Sequence, residues 1–385
     1  MKLKPLFWMV LVLFLIGYTG CSSDSSSPEP SSLSFATFNA GLAQGYVPYY
    51  SARLPQVIAA VSDANADIIC LQEVWKDEDV AAVVDAAKEL FPFSYWEQTE
   101  QETGAVCTGG EETEILDCAD TYCGEVNPDN LADCVLANCT NEFLSLSADC
   151  QSCMVSNLGK TLEEIGENCA TGATPAGLWS NDGRNGVLIL SRLPFTLTES
   201  KMLDAYLVRR IVLHVRVEDE QSGSVDVYGT HLTADLGNAP PYAGEAESWL
   251  EEQGLQIDAL LVWISETAGE NNSVVLMGDM NCGPEIYGIQ AEAPENYERF
   301  QADRWNAPYA GGNAPLCTFC SDNPLISNND SDVLIDHIFF KNGSNGYSTL
   351  AERIFDGRFA LSTENGPMDL PLSDHYGVRV EITTP

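Results

Sequence analysis

The chain has 385 residues, 45% of them hydrophobic and 19% charged, a balance that excludes a wholly disordered chain and a multi-span membrane protein. Its 57 acids against 18 bases give a net charge of −39. A basic nucleic-acid-binding surface is therefore not expected, unless a divalent metal supplies the positive charge that a phosphate needs. At the start of the chain, Lys2 and Lys4 precede an apolar run from Leu6 to Ile16, which is about half of the roughly 20 residues needed to span a bilayer. A charged start, a short apolar core and small residues before Cys21 predict a lipoprotein-type signal peptide over residues 1–20, with lipid on Cys21. An ordinary signal peptide with an incidental cysteine is the alternative. Residues 21–32, rich in Ser and Pro, read as a tether.

One large α/β domain is expected over residues 33–383. Residues 33–39 alternate like a strand, 52–64 have a helical pattern (Leu54, Val57, Ile58, Val61), 67–73 form a short apolar strand and 80–90 a second helix. Strands are predicted at 186–191, 210–217 and 225–230, a long helix at 243–267, and strands at 273–278, 336–340 and 377–382. Some strands alternate with helices and others follow one another directly, which implies mixed sheets covered by helices.

Residues 101–178 break this pattern. They hold eight of the 13 cysteines, with 14 acids and one base. Cys118, Cys134 and Cys150 are 16 residues apart, each preceded by Asp, as in three copies of a short helical unit. In an exported chain disulfides are the leading reading, which makes this a disulfide-stapled helical insertion of open connectivity. Zinc is the alternative, because Cys150–Cys153 and Cys317–Cys320 are both CxxC. Cys70, inside an apolar run, is expected to be a buried thiol.

Polar residues collect at the strand ends. Asn39, Glu73, Asp279, Asp336 and Asp374 offer hard oxygen donors, joined by Asn281, a set suited to Mg2+ or Mn2+, one or two ions. His231 and His375 can move protons or polarise an oxyanion. The implied chemistry is metal-assisted attack of water on a phosphoester. His337 and His214 read as structural. Arg184 and Asn185 precede a strand on the same rim and are candidates to touch substrate. Arg209 and Arg210 are candidates for phosphate contact or for charge balance.

Thr37-Phe38-Asn39, Leu71-Gln72-Glu73-Val74, Gly229-Thr230-His231-Leu232, Gly278-Asp279-Met280-Asn281, Ile335-Asp336-His337 and Ser373-Asp374-His375 appear in order. Together they resemble the endonuclease/exonuclease/phosphatase superfamily, which includes deoxyribonucleases, abasic-site endonucleases, inositol-polyphosphate phosphatases and neutral sphingomyelinases. The resemblance implies a four-layer α/β sandwich, two mixed sheets packed together with helices outside. It further implies that Glu73, with Asn39, holds the metal, with Asp374 as a ligand or supporting contact. Asp279 would orient or deprotonate the water and Asn281 position the phosphate. His375, fixed by Asp336, would bind a phosphoryl oxygen, and His231 would bind the phosphate or protonate the leaving oxygen.

Export, tethering and the lack of a basic groove favour a sphingomyelinase-like phosphodiesterase at the cell envelope, lipid-anchored or secreted, and monomeric. An extracellular nuclease acting on DNA or RNA is the second reading, and a non-catalytic surface binding protein on the same fold the third.

Overall fold

The computed structural model describes residues 32–97, 106–157, 159–171, 185–220, 222–237, 242, 244–326, 331–341, 348–363 and 366–383. The predicted signal peptide, Cys21 and Arg184 lie outside the described residues.

The first sheet contains β1 (Ser32–Asn39), β2 (Ile68–Gln72), β3 (Phe93–Tyr95), β4 (Leu188–Ser191), β10 (Ser348–Ile354) and β13 (Gly377–Thr383), in the order β10-β13-β1-β2-β4-β3. The second contains β5 (Phe195–Leu203), β6 (Arg210–Asp219), β7 (Gly223–His231), β8 (Ser273–Asp279) and β9 (Asp336–Lys341), in that order. A separate ribbon pairs β11 (Arg358–Thr363) with β12 (Gly366–Pro371). Both large sheets are mixed, with parallel pairs β1–β2 and β7–β8 flanked by antiparallel neighbours.

β1 and β8 are buried almost throughout because both faces of each sheet are covered. One face of the first sheet, with Phe35, Ile68, Cys70 and Ile189, meets Leu213, Val227, Val275 and Phe340 of the second. The other face, with Ala36, Phe38, Ile69 and Leu71, carries α1 (Tyr50–Ser62) and α2 (Asp77–Ala87) through Val57, Val61, Val80 and Val83. The outer face of the second sheet carries two more helices through Ile257, Leu260, Ile264, Tyr297 and Phe300. Helix, sheet, sheet, helix is the four-layer order that the resemblance implies, and the mixed sheets are those read from the sequence pattern.

Between β3 and β4 the described residues include five α-helices: α3 (Glu112–Cys123), α4 (Leu131–Asn138), α5 (Thr140–Leu144), α6 (Ala148–Ser156) and α7 (Leu162–Gly166). Disulfides Cys107–Cys150, Cys118–Cys139, Cys123–Cys134 and Cys153–Cys169 staple them. Cys317 pairs with Cys320. Both CxxC motifs are thus consumed in disulfides, and the zinc alternative falls. Cys70 and Cys282 are free and buried.

The outer helices are α8 (Trp249–Thr267) and α9 (Pro294–Ala302). The long helix starts later than the predicted residue 243 because Ser248 caps it, its Oγ accepting from Glu251 N at 3.1 Å. The unpredicted β3 is only three residues long, and β5, β10, β11, β12 and α9, also unpredicted, lack a strong apolar signal. β5 is a half-exposed edge strand, and α9 is mostly polar.

Candidate active site

Register explains why the polar residues meet. In the parallel pair β1–β2, Asn39 lies beside Gln72, the residue before Glu73. In the second sheet His231 lies beside Asp279, and Asp279 beside Asp336. β13 runs antiparallel to β1 with Val378 opposite Thr37, so the residues just before it, Asp374 and His375, emerge at the C-terminal end of β1. The two sheets join there: Asn39 Nδ2 donates to Asp279 Oδ2 at 2.9 Å and to Glu73 Oε1 at 3.2 Å. Gly278 is required by the pairing of β7 with β8, because a Cβ there would lie 2.0 Å from the carbonyl oxygen of its neighbour Thr230.

Glu73 sits in the left-handed region at φ 59°, and Asn281 at 49°. Asn tolerates that conformation; for Glu it is strain held by the surroundings, of the kind that collects at functional sites. Asn281 N donates to Asp279 Oδ1 at 2.9 Å, and Asn281 Nδ2 to the Leu232 carbonyl at 2.8 Å, so its amide nitrogen is committed to the backbone. Burial and the nearby Asp336 charge raise the Asp279 carboxyl to about 7, against His375, Asn39 and the Asn281 amide. Burial and Asp374 likewise push Glu73 up.

The histidines divide. His375 Nδ1 bonds Asp336 Oδ2 at 2.9 Å and lies 3.8 Å from Asp279 Oδ2. Burial opposes its charge, but Asp336 and Asp279 outweigh burial and hold its pKa well above the ordinary value. His231 Nε2 lies 3.5 Å from Asp279 Oδ2, and its buried Nδ1 has no hydrogen-bond partner among the described residues. Burial, Arg210 and His375 hold it well below the ordinary value, so it is neutral. The site therefore pairs one cationic with one neutral imidazole.

Four carboxylates face this region, and among the described residues the side-chain cations acting on them are His375, buried Arg210, whose charge acts on Glu73 and Asp279, and buried Arg53, whose charge acts on Glu73 and Asp374. Asp336 Oδ1 is buried without a hydrogen-bond partner among the described residues. Acidic oxygens in excess, one of them orphaned, fit a hard divalent cation. Glu73 and Asp374 are neighbouring carboxylates, and Asn39 turns its Nδ2 to Glu73 while its Oδ1 accepts from Gly41 N at 3.0 Å. Asp279, Asp336 and His375 form a second group, with ligand atoms within 4.8 Å of one another, but there the 2.9 Å His375–Asp336 bond already occupies two donors.

Asn185 is not brought to this cluster. Its Nδ2 donates to the Glu97 carbonyl and its Oδ1 accepts from Val187 N, so it closes the turn into β4. His337 lies on the opposite face, bonded to the Cys282 carbonyl, and His214 is held between Glu199 and Asp226. Sequence reasoning missed Arg53, fully buried on α1. Its Nε donates to the Pro48 carbonyl at 2.8 Å and its Nη1 to the Leu372 carbonyl at 3.1 Å, tying the loop after β1 to the loop that carries Asp374. It sits in an otherwise apolar helical stripe and left no signal. It also missed Thr318, whose Oγ accepts from Asp336 N at 3.2 Å.

The cluster forms the floor of a cavity of about 900 Å³, within the range of small-molecule sites. Glu73, Arg210, His231, Asp279, Asn281, Asp374 and His375 all line it.

Comparison with known proteins gives the same architecture. The model of a family described as the Endonuclease/Exonuclease/phosphatase family matches residues 36–375. No curated protein sequence matches. Sphingomyelinase C from Streptomyces griseocarneus is similar at 18% identity and TM-score 0.53, covering 91% of this chain and 99% of that one. Beta toxin from Staphylococcus aureus, solved with bound magnesium ions, has 13% identity and TM-score 0.52 over 91% and 99%. A mannosyl-6-phosphatase from Bacteroides thetaiotaomicron has 14% identity and TM-score 0.50 over 91% and 99%. At these identities the three likenesses show a shared fold.

Proposed function

Because the chain belongs to the endonuclease/exonuclease/phosphatase family, whose members are metal-dependent hydrolases, we propose that it hydrolyses a phosphodiester by divalent-metal-assisted attack of water. The substrate would carry a lipid-type headgroup, as for a sphingomyelinase. The observation that carries this reading is the pairing of a raised, hydrogen-bonded Asp279 with a cationic His375 and a neutral His231 in one cavity.

Glu73, positioned by Asn39, would hold Mg2+ or Mn2+ together with Asp374, and the ion would supply Lewis-acid polarisation of a phosphoryl oxygen. Asp279, ionised and oriented by Asn39 and the Asn281 amide, would accept the proton of the attacking water. His375, held cationic by Asp336, would stabilise charge building on a phosphoryl oxygen. His231, neutral, would donate a hydrogen bond to the phosphate from a ring nitrogen, and Arg210 would add positive field from beneath. Asn281 would act through its backbone N–H on Asp279.

The acidic balance supports this reading over a nuclease, since a polyanion gains affinity from rows of Lys and Arg. Export fits five disulfides, which persist in oxidising compartments. Lipid attachment at Cys21 and action as a monomer complete the proposal. The test offers sphingomyelin vesicles, duplex DNA, single-stranded RNA and inositol phosphates with Mg2+ or EDTA. The expected result is phosphocholine release abolished by EDTA and lowered at least about a hundredfold by Glu73→Gln. Nucleic-acid cleavage with the same sensitivities would replace the lipid reading, and no turnover on any of them would remove it.

A further inference from the structure

The cavity does not stop at the polar floor. It continues under the insertion, where Leu116 of α3, Leu131 and Leu136 of α4, Phe143 of α5, Met154 of α6 and Ile165 of α7 line it. Each of the five helices thus contributes an apolar side chain to the same space that holds Glu73, Asp279 and His375. We propose that the insertion forms an apolar chamber, continuous with the phosphoester site, that receives the hydrocarbon chain of a single-chain amphiphilic phosphodiester. This rests on the reading of the floor as a phosphodiesterase site.

Three observations support it. First, the insertion is fixed to the body at two places on the rim. Ser152 Oγ donates to the Leu207 carbonyl at 3.0 Å, Tyr206 Oη bonds Gln151 Oε1, and across the cavity Gln44 Nε2 donates to the Gly159 carbonyl at 3.4 Å. Leu207 lines the cavity as well, as do Ala43 and Gly45 on either side of Gln44, so these bonds hold the chamber against the floor. Second, interiors normally close-pack, because an unfilled apolar space forfeits dispersion contacts. Here four disulfides brace helices that leave their apolar ends on a shared space, which suits an occupant supplied from outside. Third, residues 101–178 carry 14 acids and one base. A nucleic acid or a polyphosphate would be repelled there. A neutral or zwitterionic chain-bearing substrate meets no such penalty, and its apolar part gains from leaving water.

The full chain, loaded with Mn2+, would be assayed on methyl, butyl and octyl p-nitrophenyl phosphate, which share one reacting group and differ in chain length. We expect kcat/KM to rise roughly two- to fourfold per methylene. In Leu136→Glu and the milder Leu136→Ala, both at a half-buried wall position, the dependence should flatten while the methyl ester is hydrolysed at the wild-type rate. A flat wild-type series with an active methyl ester overturns the chamber and leaves the phosphodiesterase reading standing. If no ester is hydrolysed, that reading fails, and binding decides the chamber alone. Trp75 and Trp249 line the cavity, so dodecylphosphocholine brominated along its chain should quench tryptophan fluorescence saturably, and less in Leu136→Glu. Absence of saturable quenching overturns the proposal.

Discussion

Asp336→Asn tests the electrostatic logic of the site with the smallest change of shape. The wild-type carboxylate is fully buried, bonds His375 Nδ1 at 2.9 Å, and raises both His375 and Asp279. A hydrogen bond to a charged group contributes about 1.5–3 kcal/mol, and one pKa unit corresponds to about 1.4 kcal/mol. Removing the charge should therefore lower the His375 pKa by about 1–2 units. The same change removes a like charge from beside Asp279, so that carboxyl also ionises at lower pH. If Asp279 must be ionised and His375 protonated, both limbs of the kcat/KM profile move to acid, the basic limb by about 1–2 pH units. The rate at pH 8 should fall while the acid side gains. A proton NMR titration of the metal-free protein reports His375 independently of turnover, and the chain has only four histidines. A basic limb that stays in place, or an imidazole resonance that titrates as in the wild type, would refute the coupling.

Gly41→Ala should damage the site from a distance. Gly41 has φ 55°, and a Cβ there would lie 2.5 Å from Asp374 Oδ1 and 2.6 Å from Ser373 Oγ. Displacement of Asp374 should lower activity at least tenfold, with a loss of about 1–3 kcal/mol in a urea titration. A variant of wild-type activity would show that Asp374 has no part in the chemistry. Asp226→Asn should do the opposite and spare activity per folded molecule. Asp226 is buried and accepts from His214 Nε2, Arg216 Nε, Gly269 N and Asn272 Nδ2 at 2.7–2.8 Å. Burial opposes its ionisation, but these bonds outweigh it and hold the carboxyl well below the usual range. A depressed folded pKa stabilises above the unfolded value and loses that stability as pH falls. The variant should thus be about 3–5 kcal/mol less stable at pH 7, and the gap should shrink below about pH 4. An unchanged gap on acidification would contradict the assignment.

What could be read in the sequence follows from where burial is complete. β1, β2 and β8 bury both faces, so their apolar runs stand out, and the polar residue closing each run was visible as a site candidate. That Asn39 reaches across to Asp279 was not visible, because it depends on two sheets meeting face to face. Asn185 looked like a substrate contact because it precedes a strand, yet its amide closes a turn. Arg53 shows the reverse: its guanidinium serves backbone carbonyls brought together only by the fold. The cysteine spacing of 16 suggested three equal repeats, whereas Cys118, Cys134 and Cys150 each pair with a cysteine outside that series.

The insertion leaves and rejoins the body between β3 and β4, which pair antiparallel at one edge of the first sheet, Tyr95 opposite Ile189. The connection interrupts no interior strand pair, so the segment is the elaborated turn of an edge hairpin. Its sequence can change, lengthen or be exchanged without altering the register that aligns Asn39, Asp279 and Asp336. Selectivity and chemistry can thus diverge independently in this chain. Grafting the stapled segment onto another scaffold of the same architecture, at the matching hairpin, is a route to transfer substrate preference while the hydrolytic centre stays constant.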